Sequence, residues 1–336
     1  MLKDKFITAL CLILLPLLTP AQLFIPITDD PFGVPVKFNS DSIRKGKIES
    51  ITANMQYKPD EKKIEDKGLR EFYRFDSLGR LNEYYRTRVR NYNQVTVEYP
   101  AVYRRGKRIR GEYTTYTYTY TYDTVFVNYY YDNYQRLACR RLCDNEFYST
   151  WYYIYNEDGT IARQTHVRET NLGQTHRNFR LGVQTIISQE DFTYQRFSPT
   201  QVKQVCLNDE GKPYKETMMH FDQQQRPVDF RETYNSGNVR IVTTWLYDES
   251  KRTTGWTYSS NANGEFLEET QYKYDAQGRI ESVKHFANGI LKDEFSYLYN
   301  NNEPIAYAYI NRRHIELGID IVKLEIITRD TSLSER

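Results

Sequence analysis

Aromatic residues alternate with polar ones along most of the chain, and short turn-forming clusters interrupt the alternation. In the clearest stretch one residue separates Tyr272 from Tyr274. Asp275 follows directly, and Gly278 lies three residues after Asp275. Side chains at positions i and i+2 of a strand share a face, so the paired rings predict a strand. An Asp first and a Gly last are typical of a type I turn. The stretch therefore predicts a β-hairpin.

The same pattern recurs along the chain, often at intervals of roughly 25 residues or twice that. The predicted turn residues are Asp76, Gly79, Asp132, Asn156, Gly159, Asn208, Gly211, Asp222, Asp248, Asp275, Gly278 and Asn300. Hairpins in such an array are stabilised by their neighbours. We therefore expect an all-β protein, an elongated antiparallel β-meander of about eight to ten hairpin repeats that forms an open twisted sheet.

These repeats resemble the YD repeats of bacterial Rhs-type proteins and their animal teneurin relatives, and the segment from Tyr272 to Ile280 matches them best. The resemblance covers roughly residues 70–310. In that family, hundreds of residues of such repeats wind into a hollow shell around a toxin. We expect fewer units here and no toxin segment after them, so an open sheet fits better than a shell.

The first residues predict a secretory signal peptide. Lys3 and Lys5 precede a short apolar run, and small residues follow it, so we expect cleavage between Ala21 and Gln22. The run is too short to span a bilayer comfortably, so no transmembrane anchor is expected. The predicted organisation is a signal peptide at 1–21, a lead-in with the first strands at 22–69, hairpin repeats at 70–310, and a strand cap with a polar tail at 311–336.

The net charge of the chain indicates which classes of partner it can bind. The chain has 46 basic and 44 acidic residues, a formal net charge of +2, which does not resemble a nucleic-acid-binding protein. The leader and its cleavage junction favour an exported protein of a Gram-negative bacterium of the Bacteroidetes kind. Without a terminal sorting domain, the periplasm is favoured over the cell surface.

One strand is unusually rich in tyrosine. Strict alternation from Thr114 to Tyr122 places four rings on one face, those of Tyr116, Tyr118, Tyr120 and Tyr122. They predict either a platform that binds a sugar or a partner, or an aromatic ladder that packs on the next strand. The second interpretation is preferred, because an exposed strand of this kind would be prone to aggregation.

The reactive residues form no pattern typical of catalysis. The five histidines are scattered, and neither a nucleophile elbow nor a phosphate-binding loop is present, so no enzyme, cofactor or metal site is expected. Cys139 and Cys143 are too far apart to bridge if they share a strand. A disulfide from Cys206 to either one remains open, and oligomeric state is not predicted.

Three functions are compatible with these features. The first is a non-catalytic protein-binding or structural scaffold of the cell envelope, with one version being an accessory or plug of an outer-membrane type IX secretion channel. The second is a surface glycan-binding module that uses the tyrosine platform. The third is a fragment of an Rhs-like toxin shell.

Overall fold

The computed structural model describes residues 38–144, 147–173, 178–300, 305–314 and 318–329. The predicted signal peptide and the rest of the sequence before Phe38 lie outside these ranges. Within them the regular structure is one short helix and twenty strands, with the following bounds: α1 Ser40–Lys45, β1 Ile48–Lys58, β2 Glu65–Phe75, β3 Leu81–Tyr99, β4 Val102–Arg104, β5 Lys107–Arg110, β6 Tyr113–Tyr131, β7 Leu137–Asp144, β8 Phe147–Tyr155, β9 Ile161–Asn171, β10 Leu181–Ser198, β11 Gln201–Leu207, β12 Pro213–Phe221, β13 Pro227–Tyr234, β14 Arg240–Tyr247, β15 Thr253–Ser260, β16 Phe266–Tyr274, β17 Ile280–Ala287, β18 Ile290–Tyr299, β19 Ala306–Arg313 and β20 Ile319–Thr328. No helix in these ranges combines the length and the apolar character needed to cross a bilayer.

Eighteen of the strands form a single antiparallel sheet, and β4 and β5 pair separately as a small hairpin. The large sheet closes on itself because β20 pairs with β1, which places Ile51 opposite Ile326 and Ala53 opposite Leu324. The prediction of an open twisted sheet is therefore wrong, and the fold is a closed up-and-down barrel. Closure is favoured because it gives both terminal strands hydrogen-bonding partners and removes the exposed sheet edges.

Most of the predicted turn residues lie at one end of the barrel, here called the turn end. Counted around the ring from β1, every second strand ends at this end of the barrel. Six of these strands are followed by a predicted turn residue: Asp76, Asp132, Asn156, Asp222, Asp248 and Asp275. Asn208 instead joins β11 to β12 at the opposite end, which explains why its spacing departs from the repeat. Asn300 begins a connection whose next four residues lie outside the described ranges.

The hairpin turn after β16 shows the geometry of the repeat. The Gly278 N–H donates to the Asp275 carbonyl at 3.0 Å, and the Asp275 N–H donates to the Arg279 carbonyl at 2.9 Å. Gly278 has a φ of +80°, and Gln225 occupies the equivalent position with a φ of +62°. The Asp275 carboxylate accepts the Arg279 backbone N–H at 2.8 Å and its Nε–H at 2.7 Å. The Asp and the left-handed residue are thus turn formers, as their spacing predicts.

The inner face of the barrel carries the paired aromatic residues of the repeats. Burial, and then the charge of Glu71, raises the pKa of Tyr309, and the Tyr84 phenol is close enough to raise it further. Tyr309 lies on β19 and Tyr84 on β3, with three strands between them. Side chains on strands so far apart approach one another only on the concave side of a sheet, so this face points inward.

A hydrophobic core fills the interior toward the turn end. Ile43 of helix α1 is fully buried there, and Phe38 packs its ring edge against Tyr73 at a centroid distance of 4.8 Å. The fully or nearly fully buried members of the core are Ile43, Ile48, Ile51, Tyr73, Phe75, Tyr84, Val127, Tyr129, Leu137, Tyr153, Ile280, Val283 and Ala306. Aromatic rings supply much of this interior, as the composition predicts.

Candidate functional site

Strands β3 and β6 extend well beyond their neighbours. The two pair continuously from Glu83 opposite Asn128 to Tyr99 opposite Tyr113, with one irregularity. Pairing of β2 with β3 reaches only Arg86, and pairing of β6 with β7 begins at Val125. Residues 87–124 therefore leave the barrel as a two-stranded arm, and the hairpin of β4 and β5 lies at its tip.

The tyrosines of β6, for which the sequence predicts either a binding platform or, preferentially, a ladder packed on the next strand, lie on one face of this arm. Tyr116, Tyr118 and Tyr122 are 57%, 46% and 40% exposed. Tyr92 lies opposite Tyr120 on the same face. The centroid of the Tyr92 ring is 5.9 Å from that of Tyr118 and 6.4 Å from that of Tyr120. The four predicted rings and Tyr92 form a surface that we call the tyrosine ladder.

At the base of the arm the tyrosine ladder runs into a groove on the outer face of the barrel. The groove has a volume of about 480 Å³ and is lined by Gly68, Arg70, Tyr85, Thr87, Tyr122, Thr124 and Phe126. Tyr85 forms part of a continuous aromatic wall, with its ring 4.9 Å from Phe72 and 5.5 Å from Phe126 between centroids. A groove with aromatic walls and few polar groups is typical of a small-molecule or oligomer binding site.

Gly68 shapes one end of the groove. Its φ is +66°, and a Cβ atom added there would lie 2.7 Å from the Tyr122 hydroxyl oxygen. The positive φ favours glycine, since larger residues rarely adopt this conformation, and a Cβ atom would also push the end of the Tyr122 side chain aside. The close approach fixes Tyr122 at the junction between the groove and the tyrosine ladder.

Positive charge accompanies these aromatic surfaces. Arg70 is exposed in the groove and has no ion-pair partner among the described residues. Nearby Arg74 differs, because its Nη1 lies 2.8 Å from Glu83 Oε2. The arm, residues 87–124, contains seven basic and three acidic residues, a formal +4 against +2 for the whole chain. The charge of the arm therefore exceeds that of the full sequence.

The interior holds polar groups of a different kind. The buried Glu71 carboxylate accepts the Tyr73 hydroxyl at 2.7 Å. His166 stacks on Trp151 with ring centroids 4.4 Å apart, and burial followed by the charge of Arg168 lowers the pKa of His166. No group of three or more potential metal ligands occurs in the described part of the chain. Glu71 and Tyr73 satisfy each other, whereas the buried His166 Nε2 atom has no hydrogen-bond partner among the described residues and its ring serves packing on Trp151. The outer surface, with its exposed rings, is therefore the stronger candidate site.

No disulfide joins the three cysteines in the described part of the barrel. Cys139, Cys143 and Cys206 are buried as thiols, so Cys206 forms a disulfide with neither of the other two. Cys139 and Cys143 lie on the outward-facing side of β7, whereas Cys206 is on the inner side of β11 beside Phe192. The barrel separates the sulfur atoms, which explains why the disulfide left open by the sequence is not formed.

Sequence reasoning identified the four tyrosines of the arm but missed the groove beside them. Arg70, Tyr85 and Phe126 belong to three different strands, and their approach depends on the pairing of β2, β3 and β6. The available signal was Gly68, an isolated glycine within a strand pattern, which indicates a close approach of another group.

Comparisons with known proteins identify no family for this chain. No family model matches, and no curated protein matches. Two solved porin-like proteins are similar to this chain. The protein from Bacteroides uniformis has 10% identity and a TM-score of 0.35, and the match covers 83% of this chain and 98% of that protein. The protein from Bacteroides vulgatus has 7% identity and a TM-score of 0.25, and the match covers 60% of this chain and 93% of that protein. The Tc holotoxin pore of Photorhabdus luminescens has 9% identity, covers 82% and 22%, and has a TM-score of 0.11. Scores this low carry no inference about function, which is therefore derived below from the chain's own geometry.

Proposed function

We propose that this chain is a non-catalytic binding protein of the bacterial cell envelope, with its barrel in water and its aromatic arm and groove engaging a partner. The observation that supports this most directly is the charged outer face of the barrel. A barrel that spans the outer membrane presents an apolar outer band about 25 Å tall. The outer face described here carries ion pairs in the middle of its strands.

Two of these ion pairs illustrate the point. Val283 and Phe295 face inward as neighbours, so the adjacent Lys284 and Glu294 face outward, and their Nζ and Oε1 atoms lie 3.6 Å apart. Lys203 and Glu216 pair in the same way on β11 and β12, with 2.7 Å between Nζ and Oε2. Charged side chains facing lipid at mid-height destabilise a membrane barrel by about 2–4 kcal/mol for each Lys or Arg.

The interior also supports a binding role over conduction of solutes. Porins keep a polar, water-filled lumen, whereas aromatic rings and helix α1 pack together inside the turn end of this barrel. The arm and its groove, by contrast, offer exposed aromatic contact area together with positive charge. Aromatic residues and arginine are the side chains most enriched at energetically important contacts.

Fractionation of cells that produce the full-length chain tests the proposal. We expect recovery by osmotic shock or by carbonate washing of membranes without detergent, and a molecular mass that corresponds to cleavage between Ala21 and Gln22. An outer-membrane porin of the same cells, processed in parallel, should stay in the pellet. Extraction of this chain only by detergent, together with the porin, would contradict a barrel that stands in water.

The accessory or plug role at an outer-membrane secretion channel is a narrower form of the same proposal. It requires a stable protein partner in the membrane, and the exposed arm offers a surface for one. Affinity purification from gently solubilised membranes distinguishes the two forms. Recovery of the chain with a membrane protein, lost when residues 87–124 are replaced by a short turn, supports the plug role. Recovery of the chain alone counts against it.

A further inference from the structure

We propose that the groove and the tyrosine ladder bind an anionic polysaccharide, with one acidic sugar held in the groove against Arg70 and neighbouring sugars along Tyr122, Tyr120 and Tyr118. This inference rests on the proposed function and names the class of ligand for the same outer surface. It combines a shaped cavity, an unpaired cation and an exposed row of rings that leads out of the cavity.

The groove has suitable dimensions and walls for a sugar ring. Its volume of about 480 Å³ lies within the roughly 300–1,000 Å³ found for small-molecule sites. Tyr85 and Phe126 present ring surface on which the C–H face of a pyranose can bury apolar area. Thr124 adds a hydroxyl group to the lining. A hexose has both an apolar face and a polar rim, and this lining provides contacts for each.

Arg70 determines the charge of the sugar. Its guanidinium is exposed in the groove without an ion-pair partner among the described residues, whereas Arg74 is neutralised by Glu83. A carboxylate or sulfate on the sugar forms charge-assisted hydrogen bonds with such a guanidinium. The formal +4 of residues 87–124 complements a polymer that carries repeated negative charges.

The tyrosine ladder favours a polymer over a single sugar. Its rings continue from Tyr122 in the groove to Tyr116 on the same face of β6, at an i, i+2 spacing of about 6.7 Å. The rings of Tyr118 and Tyr120 are tilted by 27° to one another with centroids 6.4 Å apart, so they present a nearly continuous surface. A ligand that occupies both the groove and the ladder must be longer than one sugar unit.

The composition of this face favours a glycan over a lipid surface. Segments that insert into a bilayer interface use Trp, Phe and Leu on their apolar face with Lys and Arg opposite. The ladder instead carries tyrosine hydroxyl groups, and its opposite face carries Thr115, Thr117, Thr119 and Thr121. A hydroxyl-rich aromatic surface matches sugar better than acyl chains.

The test measures binding of the full-length exported chain to polygalacturonate and to neutral dextran, by affinity gel electrophoresis and by calorimetry. We expect binding to polygalacturonate that weakens as salt is raised, because the ion pairs are exposed and screened, and little binding to dextran. Arg70→Gln and Tyr118→Ala should each weaken the affinity about tenfold, which corresponds to loss of one charge-assisted hydrogen bond or one stacking contact. Arg70→Lys and Tyr118→Phe should retain more of the affinity.

Matched controls separate binding from folding. Arg312→Gln removes an exposed arginine on β19, and Tyr134→Ala removes a tyrosine that is 79% exposed in a turn. Neither should change polygalacturonate affinity, and thermal melts should show all variants folded.

Two results would overturn the inference. Equal binding to dextran and polygalacturonate, unaffected by Arg70→Gln, would show that the groove does not select an acidic sugar. Binding to vesicles of anionic phospholipid with none to polygalacturonate would assign the surface to a lipid. Either result leaves the proposed function intact if the chain is still released from membranes by carbonate, whereas retention in the membrane pellet contradicts the proposed function itself.

Discussion

Arg279 stacks its guanidinium on the ring of Tyr299, with the Arg279 Cζ atom 4.3 Å from the ring centroid, although the two residues belong to successive hairpins. The Tyr299 hydroxyl donates to the Ile280 carbonyl at 2.8 Å. Four other pairs repeat the stacking at 4.1 to 4.5 Å: Arg80 with Tyr131, Arg136 with Tyr155, Arg226 with Tyr247, and Arg252 with Tyr274. Each turn arginine therefore connects its own aspartate to the next hairpin around the turn end.

Substitution of Tyr299 should show how much this connection stabilises the barrel. Tyr299→Phe keeps the stacked ring but removes the donor to Ile280, so we expect the free energy of unfolding to fall by about 1 kcal/mol. Tyr299→Ala also removes the ring and leaves a cavity, and should cost about 3–5 kcal/mol. Urea denaturation followed by tryptophan fluorescence measures both. Tyr307→Phe, at a site that is 45% exposed, is the control, and an equal loss in Tyr307→Phe and Tyr299→Phe would refute the role of the hydroxyl.

The turn aspartates predict a loss of stability in acid. The backbone N–H of Arg226 donates to the Asp222 carboxylate at 3.0 Å, and with the Arg226 side chain at 2.7 Å it lowers the pKa of Asp222. The pKa values of Asp132, Asp248 and Asp275 are lowered as well, because such hydrogen bonds from their turn arginines outweigh burial, which acts the other way.

A carboxyl group whose pKa is lower in the folded than in the unfolded chain stabilises the fold above its unfolded pKa, about 3.9, and loses this effect as pH falls through the folded value. We therefore expect the contribution of these aspartates to the urea midpoint to be steady down to about pH 5 and to be lost below about pH 4, whereas His166, whose pKa is lowered, makes the midpoint begin to fall as pH drops below about 6.5. Asp222→Asn should lower the midpoint at neutral pH and make its decline in acid less steep. An unchanged acid dependence in the variant would exclude Asp222 as a contributor.

The hairpins could be predicted because their signals are local. Asp275 and Gly278 are close in sequence and determine one turn, and the alternation of Tyr272 and Tyr274 places both rings on the inner face. Closure could not be predicted, because pairing of β1 with β20 depends on twist summed over all intervening strands. The family resemblance stated from these repeats implies a shell but does not specify the number of strands, and it stays a prediction.

The candidate site, like the fold, could be predicted from the sequence only in part. The alternation of tyrosine and threonine in β6 predicts a face of four rings, and their exposure follows from the length of β3 and β6 relative to β2 and β7. That difference in length is a property of register, which no local pattern specifies. Arg70 looked like one of many charged strand residues until pairing placed it beside Tyr85 and Phe126.

The buried thiols predict low chemical reactivity. Burial raises the pKa of both Cys139 and Cys206 to about 11, from an ordinary value near 9. The thiolate is the nucleophile, so at pH 8 the reactive fraction of each falls by about 100-fold. Reaction with a thiol-specific disulfide reagent should be slow in the native protein and fast in urea, and Cys206→Ser should remove one slow equivalent. Rapid native reaction of Cys139 and Cys206 would show that the barrel opens at these strands.

Substitution of Glu169 is expected to cause a large loss in the free energy of unfolding. Its side chain is fully buried, and its carboxylate accepts hydrogen bonds from Arg141, Thr150, Tyr152 and Gln184 at 2.6 to 2.8 Å. Burial raises the pKa of Glu169, but these four donors outweigh it and keep the group ionised.

Glu169→Ala leaves the positive charge of Arg141 largely buried without its partner, so we expect a loss of about 3–5 kcal/mol in urea denaturation. Glu169→Gln should cost less, because the amide keeps the shape and one acceptor but loses the charge. Replacing both partners, as Arg141→Met with Glu169→Leu, removes the charge together with its counter-charge and should recover much of the stability lost in Glu169→Ala. The single variant Arg141→Met gives the cost of losing the arginine alone. If the double variant were less stable than Glu169→Ala by that full cost, the effects would be additive, the two side chains would be independent, and loss of the buried ion pair would not explain the result.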